Sequence, residues 1–325
     1  MSDGLTFVRA FDPAPITTLL LDADDNLFGS ERPAFEASTE VTNRFLARFG
    51  VTAPLSSEEL RKRAVGKNFR TTALELAVQC EVPLDRTLAQ GRPAAVIASD
   101  SDLASGNALS ADELEQWVRE ERERVTAHLA VTLTRDPQVL DPLRDLATHY
   151  ALAAVSSSAS QRLRACFTAT GIDSLISEAV TFSAEDSLPV PTSKPDPAVY
   201  LHAGQVLGVQ AHQGLAIEDS VAGVSSAVAA GYATIGNLMF VLPDERQSRR
   251  VELIDAACSG VVRAVQRRIS NRFYRRHRHV GLAGSDEVDQ ARDRSPHVGH
   301  AERDLGNPDA CAGGRDTKVA RHRER

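Results

Sequence analysis

The sequence predicts an α/β fold: a three-layer core on a parallel sheet, with a block of helices inserted after the first core strand. A short apolar run, Ile16–Leu21, stops abruptly at carboxylates, and helical periodicity then holds from Arg32 to about Arg135 with no convincing alternating strand. From Pro142 onward strands and helices alternate, which implies parallel strands joined by crossover helices. A chain of 325 residues, 42% of them hydrophobic, exceeds one ordinary domain and can bury a sizeable core.

Taken in order, Ile16-Thr-Thr-Leu-Leu-Leu21 reads as a buried strand with acids at its C-terminal tip. The helical block repeats apolar residues at helical spacing: Val41, Phe45, Leu46 and Phe49, then Leu74 and Val78, then Leu114, Trp117 and Val118. Between them Pro83 to Ser110 is less regular. The alternating part predicts strands at Tyr150–Val155, Ala179–Thr181, Gly214–Ile217 and Tyr232–Ile235. Helices are predicted at about Ser160–Thr170, Pro197–Leu207 and Val221–Ala230. Beyond about Arg267 the periodicity stops, and Arg, His, Gly, Asp and Ser dominate, so disorder is expected there.

Charge divides the chain in the same place. Residues 267–325 hold 14 Lys+Arg against 9 Asp+Glu, so the net charge of −7 combines a basic tail with an acidic body. The tail segment Arg272-Phe-Tyr-Arg-Arg-His-Arg-His279 interleaves arginines with aromatics and suits nucleic acid, but a solvated extension is the favoured reading. Cys80, Cys166, Cys258 and Cys311 are scattered without C-x-x-C pairing, so neither a zinc site nor a disulfide framework is expected, and the natural compartment is a reducing cytoplasm. No run reaches the roughly 18 apolar residues needed to span a bilayer, and none forms a signal-peptide core, so no membrane association is expected.

Four segments carry candidate chemistry. Asp22-Ala-Asp24 sits at the first strand's tip, the edge at which open parallel sheets bind ligands. Two carboxylates this close repel unless a cation or a shared proton intervenes, although the usual reading of a lone D-x-D triplet is a turn or helix cap. The strand ending in Ser156-Ser157-Ser158 offers hydroxyls and backbone N–H groups for an anion, with a helix cap as the alternative. Thr192-Ser-Lys-Pro-Asp-Pro197 holds Lys194 between a polar loop and two prolines, where it can neutralise a phosphate or a carboxylate; a lone lysine is by default a surface residue. Glu218-Asp219-Ser220 again puts acids at a strand tip, ahead of Val221-Ala-Gly223, where they could hold a metal or cap the next helix.

Together and in this order, Asp22-x-Asp24, Ser156, Lys194 in a Lys-Pro-Asp-Pro context and Glu218-Asp219-Ser220 resemble the four motifs of the haloacid dehalogenase (HAD) superfamily. The resemblance covers roughly residues 16–31 and 140–240. It implies a Rossmann-like core from residues 1–31 and 136–266, and a helical cap from residues 32–135 of the type found in phosphoglycolate phosphatase-like and β-phosphoglucomutase-like members. It further implies an Mg²⁺-dependent phosphatase acting on a small, sugar phosphate-like phosphorylated metabolite. Asp22 is then the nucleophile that becomes an aspartyl phosphate, and Asp24 the group that protonates the leaving oxygen and activates water. Ser156 grips phosphate oxygens and Lys194 stabilises the charge. Asp22, the main-chain carbonyl of Asp24, Glu218 and Asp219 hold the metal, a hard cation that prefers oxygen.

The family usually continues its first motif as Asp-Gly-Thr, whereas this chain reads Asp24-Asp25-Asn26. Aspartate is among the few residues besides glycine that tolerate positive φ, so the turn is expected to survive. In the cap, Val65-Gly-Lys-Asn-Phe-Arg70 presents Lys67 and Arg70 toward an anionic substrate or, by the more ordinary reading, toward solvent. Two other assignments stand beside the phosphatase: a β-phosphoglucomutase-like phosphomutase using the same residues, and a non-catalytic protein of this fold with a nucleic-acid-binding tail.

Overall fold

The computed structural model describes residues 6–9, 12–64 and 67–262. The expected tail, with Arg272–His279 and Cys311, lies outside the described residues, as do Val65 and Gly66. Chain order runs β1 (Thr6–Phe7), β2 (Thr18–Leu21), α1 (Glu31–Arg48), α2 (Ser57–Ala64), α3 (Phe69–Gln79), α4 (Arg86–Ala89), α5 (Asp100–Ala104), α6 (Ala111–Thr132) and α7 (Pro137–Ala147). It continues β3 (Ala151–Ser156), α8 (Ser160–Thr170), β4 (Thr181–Ser183), α9 (Ala198–Leu207), β5 (Gly214–Glu218), α10 (Val221–Ala229), β6 (Ala233–Asn237), α11 (Arg246–Asp255) and β7 (Gly260–Val262).

Among the described residues these strands form one sheet in the order β1-β7-β6-β5-β2-β3-β4. β2 to β7 pair in parallel, and β1 closes the edge antiparallel to β7. The α/β fold with a parallel sheet and an inserted helical cap is therefore as the sequence predicts.

The central strand shows why the fold has three layers. Leu19 and Leu21 enter the cluster that holds Leu143 of α7 and Leu163 of α8, while Leu20 enters the opposite one with Val199 and Tyr200 of α9 and Ala227 of α10. Alternate side chains of a strand point to opposite faces, so an unbroken Thr-Leu-Leu-Leu run needs helices on both sides. Each buried leucine contributes on the order of 2 kcal/mol. Register matters as much, because a one-residue slip would exchange the two faces and move Asp22 off the strand tip. In the observed register Leu21 lies opposite both Ala154 and Ile217, so the chain beyond β2 emerges between the tips of β3 and β5.

The cap has its own core of Phe45, Leu60, Leu74, Leu84, Leu109 and Leu114. Its last helix is shared with the main body: Leu114 of α6 belongs to the cap cluster, whereas Val125 and Leu129 pack with the central sheet's residues. Periodicity through α6 is continuous, so the sequence carries no mark of where the helix changes partners. The next helix starts sharply because Asp136 accepts from the Gln138 N–H and Pro137 occupies the first turn.

One strand lies two residues later than predicted. Glu178–Val180 forms a 3₁₀ turn, and Thr181–Ser183 pairs with Ala154–Ser156, burying Phe182. Pro83–Ser110 forms α4, α5 and isolated bridges from Leu84 to Ile97 and Leu109. β1, β7 and α11 have no counterpart in the sequence reading. The two strands are only two and three residues long, and α11 buries one side chain, Leu253. No helix among the described residues is long and apolar enough to cross a membrane, and Cys80, Cys166 and Cys258 are free thiols.

Candidate active site

The tips of β2, β3 and β5 meet at a buried charge cluster. Asp22, just beyond β2, donates its backbone N–H to the Ile217 carbonyl at 3.0 Å, continuing the ladder one residue past the strand. Lys194 enters from the loop before α9, and its Nζ donates to Asp22 Oδ1 at 2.5 Å, Glu218 Oε1 at 2.6 Å and the Val155 carbonyl at 2.8 Å. All three ammonium protons are thereby used, which is what a buried lysine requires. The loop is itself held: the Lys194 N–H donates to Ser157 Oγ, and the Ser226 hydroxyl donates to the Asp196 carbonyl.

Glu218 is fully enclosed. Its Oε1 also accepts from the Tyr200 hydroxyl at 2.5 Å, while Oε2 is buried with no hydrogen-bond partner in the protein. A Cβ at Gly223 would lie 1.7 Å from that oxygen, so a side chain at position 223 and Glu218 in its present place exclude one another. Asp22, Glu218 and Asp219 each bring one oxygen within 4.8 Å of the others.

The electrostatics point the same way. Burial drives the Asp22 carboxyl up against the opposing pull of Lys194, and drives Glu218 up to about 7. Asp219 is pushed well above the carboxylate range, first by burial and then by Asp22, Asp25 and Glu218. Burial pulls the Lys194 ammonium down, but Asp22 and Glu218 outweigh that and raise it. One ammonium thus faces three carboxyl groups. Such a cluster holds extra protons or takes up a cation, and its all-oxygen donors, one of them an orphaned buried carboxylate oxygen, fit a hard divalent ion such as Mg²⁺.

Asp24 stands apart from this cluster. Its Oδ1 accepts from the Ser30 hydroxyl at 2.6 Å and from Arg162 at 2.7 Å, and its Oδ2 accepts from the Ser158 hydroxyl at 2.6 Å. Burial pushes its carboxyl up, but Arg162 and the two hydroxyls win and hold it below the usual range. Ser156, at the tip of β3, is buried, and its Oγ accepts from the Ser158 N–H at 3.1 Å.

Asp25 adopts φ +49°, the left-handed conformation. Burial raises its carboxyl to about 7. Asn26 stitches the loop: its Nδ2 donates to the Asp22 carbonyl at 2.7 Å, and its Oδ1 accepts from Asn237 at 2.8 Å.

Between this edge and the cap lies a cavity of about 910 Å³, lined by Asp24, Ser158 and Arg162 below and by residues including Phe35, Lys67 and Arg70 above. Lys67 and Arg70 are both engaged inside the cap, with Glu75 at 2.7 Å and Glu115 at 2.6 Å. Among the described residues, Arg122–Glu185 at 2.7 Å and Arg61–Glu245 at 2.8 Å pair cap with core.

Of the residues singled out by sequence, the structure brings Asp22, Lys194, Glu218 and Asp219 into direct proximity and sets Asp24 and Ser156 at the adjoining edge. Sequence analysis did not single out Arg162, Tyr200 or Ser30, and it offered the Ser158 hydroxyl to an anion, whereas that hydroxyl donates to Asp24. Arg162 carried one usable signal, since it is a cation in the first turn of α8, directly after the strand tip at Ser156.

The sequence matches the family of haloacid dehalogenase-like hydrolases over residues 22–237. No curated protein matches it. Among solved structures, a haloacid dehalogenase-like protein of unknown function from Agrobacterium tumefaciens is 23% identical, with TM-score 0.53, covering 80% of this chain and 99% of that one. A predicted phosphoglycolate phosphatase from Haemophilus somnus is 18% identical, with TM-score 0.56, covering 79% and 98%. CbbY from Rhodobacter sphaeroides, in complex with xylulose-1,5-bisphosphate, is 18% identical, with TM-score 0.52, covering 77% and 95%. At these identities the likeness speaks for the fold.

Proposed function

The chain belongs to the haloacid dehalogenase-like hydrolases, and from that premise we propose that it is a phosphatase of small phosphorylated metabolites, using Mg²⁺ and an aspartyl-phosphate intermediate. The observation that carries this reading is Asp22 held at a sheet edge by Lys194, with Glu218 and Asp219 at its side and Asp24 two residues on.

Asp22 attacks phosphorus with its free oxygen, a bond to the leaving oxygen breaks, and a second displacement by water releases phosphate. Lys194, already on Oδ1, offsets the charge that gathers as the phosphoryl group arrives. Ser156 offers its hydroxyl proton to a phosphate oxygen. Mg²⁺, when held by Asp22, Asp219, Glu218 and the Asp24 carbonyl, would supply charge neutralisation at the phosphoryl oxygens. As arranged here Asp24 is an anion accepting on both oxygens, and so is poised as the base that activates water. Its acid role requires a proton and the withdrawal of one of those donors, a movement at the seam between cap and core.

The substrate class rests on the cavity, roomy and lined by polar groups of both signs, and on the sugar bisphosphate bound by the Rhodobacter protein. The test is phosphate release from p-nitrophenyl phosphate and a sugar-phosphate panel, with and without Mg²⁺. Turnover that needs the metal and is lost by at least ~10³-fold in Asp22→Asn is expected. Isomerisation of a sugar phosphate without release would reassign the same residues to a phosphomutase, and turnover indifferent to Asp22 would end both readings.

A further inference from the structure

We propose that Asp25 is a positioning residue that caps the first helix of the cap in place of Ser30 and so frees the Ser30 hydroxyl to hold Asp24; this rests on the phosphatase reading of the site.

Helix α1 begins with Ser30 at its N-cap, a residue whose own hydroxyl ordinarily accepts an N–H from the second or third helical residue. The third position is Pro33, which has no N–H to give. Ser30 makes no side-chain cap bond. Its hydroxyl points the other way and donates to Asp24 Oδ1 at 2.6 Å. The helix end is served instead by Asp25, whose Oδ1 accepts from the Ser30 N–H at 2.9 Å and the Glu31 N–H at 3.1 Å.

That reach depends on the backbone. Asp25 sits at φ +49°, and its own N–H donates to the Phe28 carbonyl at 2.9 Å, folding Asp24–Phe28 into a tight loop that turns the carboxylate onto the helix. A carboxylate also suits the partial positive charge of a helix N-terminus. A glycine would allow the same φ but could not cap the helix. With Asp25 the catalytic loop and the first cap helix are joined by three hydrogen bonds through two consecutive aspartates, so that the helix and Asp24 are set by one another.

The test compares wild type, Asp25→Gly, Asp25→Asn, Ser30→Ala and the Asp25→Gly/Ser30→Ala double variant. Asp25→Gly keeps the positive φ without strain and removes the acceptor. Its kcat is expected to fall ~10-fold, the scale of one charge-assisted hydrogen bond, with KM within about twofold. Asp25→Asn keeps the acceptor oxygen and should return kcat to within about threefold of wild type. Because Asp25 acts through Ser30, the double variant should fall no further than Ser30→Ala alone. Losses that multiply, or an asparagine as damaging as glycine, overturn the proposal. A crystal structure of full-length Asp25→Gly decides independently of activity. Displacement of the Ser30 hydroxyl from Asp24 is expected, and an intact bond overturns the proposal, even if the wild-type protein hydrolyses no phosphate ester and the phosphatase reading alone has failed.

Discussion

Lys194 and Arg70 are both cations within hydrogen-bond reach of carboxylates, yet they obey different rules. The Lys194 side chain is 5% exposed and its partners Asp22 and Glu218 are 10% and 0% exposed, whereas Arg70 and Glu115 are 40% and 45% exposed. In the core, water cannot replace a missing partner, so each charge there is held by the others and losing one leaves the rest uncompensated. In the cap, solvent screens the pair, and a bond of good geometry is worth ~0–1 kcal/mol. The same pairing that makes the core cluster indispensable thus makes the cap charges interchangeable.

The sharpest way to break this contrast is to remove the core cation. Lys194→Met leaves Asp22 and Glu218 facing one another without a counter-charge. We expect kcat to fall at least ~10²-fold and the apo protein to lose ~3–5 kcal/mol in denaturant unfolding. A stability change under about 1 kcal/mol would place the core pair under the cap's rules. Gly223→Ala attacks the same cluster without touching a charge. Its Cβ would stand 1.7 Å from Glu218 Oε2, so Glu218 must leave its place between Lys194 and Tyr200, and a kcat loss of ~10²-fold is expected. Tyr200→Phe is milder. It removes one donor from Glu218 Oε1 while Lys194 stays, and should cost ~1–3 kcal/mol of stability.

Proton uptake separates the two regions again. Glu218 titrates at about 7 in the folded protein against 4.5 for the ordinary group. A raised carboxyl favours the folded state fully below the unfolded value, and that contribution is lost as pH rises through about 7. Without metal the protein should therefore be less stable at pH 8 than at pH 5 on account of this cluster. Mg²⁺ competes with the same protons, so its apparent affinity should rise ~10-fold from pH 6 to pH 8 for one such group. Thermal shift at several Mg²⁺ concentrations measures both slopes. A metal response equal at the two pH values would mean that the cluster's protons and the metal do not compete.

These differences also explain what the sequence could show. Asp22, Ser156 and Glu218 are legible because a strand must end, and in a parallel sheet the residues at three strand tips converge whatever the helices do. Lys194 is legible because prolines on either side of Asp196 mark its loop. Arg162 and Tyr200 sit inside helices: the place of Arg162 in the first turn of α8 was the only hint of its role, and which face of α9 meets the site depends on packing that no local pattern records. The helix pattern hid Tyr200 most completely, since α9 reads as a mostly apolar segment and a buried tyrosine looks like core. In the cap, helical periodicity made the fold readable and left the chemistry unread: Lys67 and Arg70 stood out as cations, while Glu75 and Glu115, which occupy them, stood out as nothing.

The smallest expected effect tests that last point. Lys67 and Arg70 line the cavity, but to reach a substrate anion each must first release a carboxylate, and the gain from the new contact is offset by the bond given up. Exposed pairs of this kind exchange partners at a net of a few tenths of a kcal/mol. Lys67→Ala and Arg70→Ala should accordingly change kcat/KM on a sugar phosphate by less than about threefold, with no loss of stability beyond ~0.5 kcal/mol. A tenfold rise in KM for either variant, with kcat unchanged, would show that the cation abandons its glutamate when substrate enters. The Glu75→Gln and Glu115→Gln variants would then bind substrate more tightly than wild type, because the competing carboxylate would be gone before the substrate arrived.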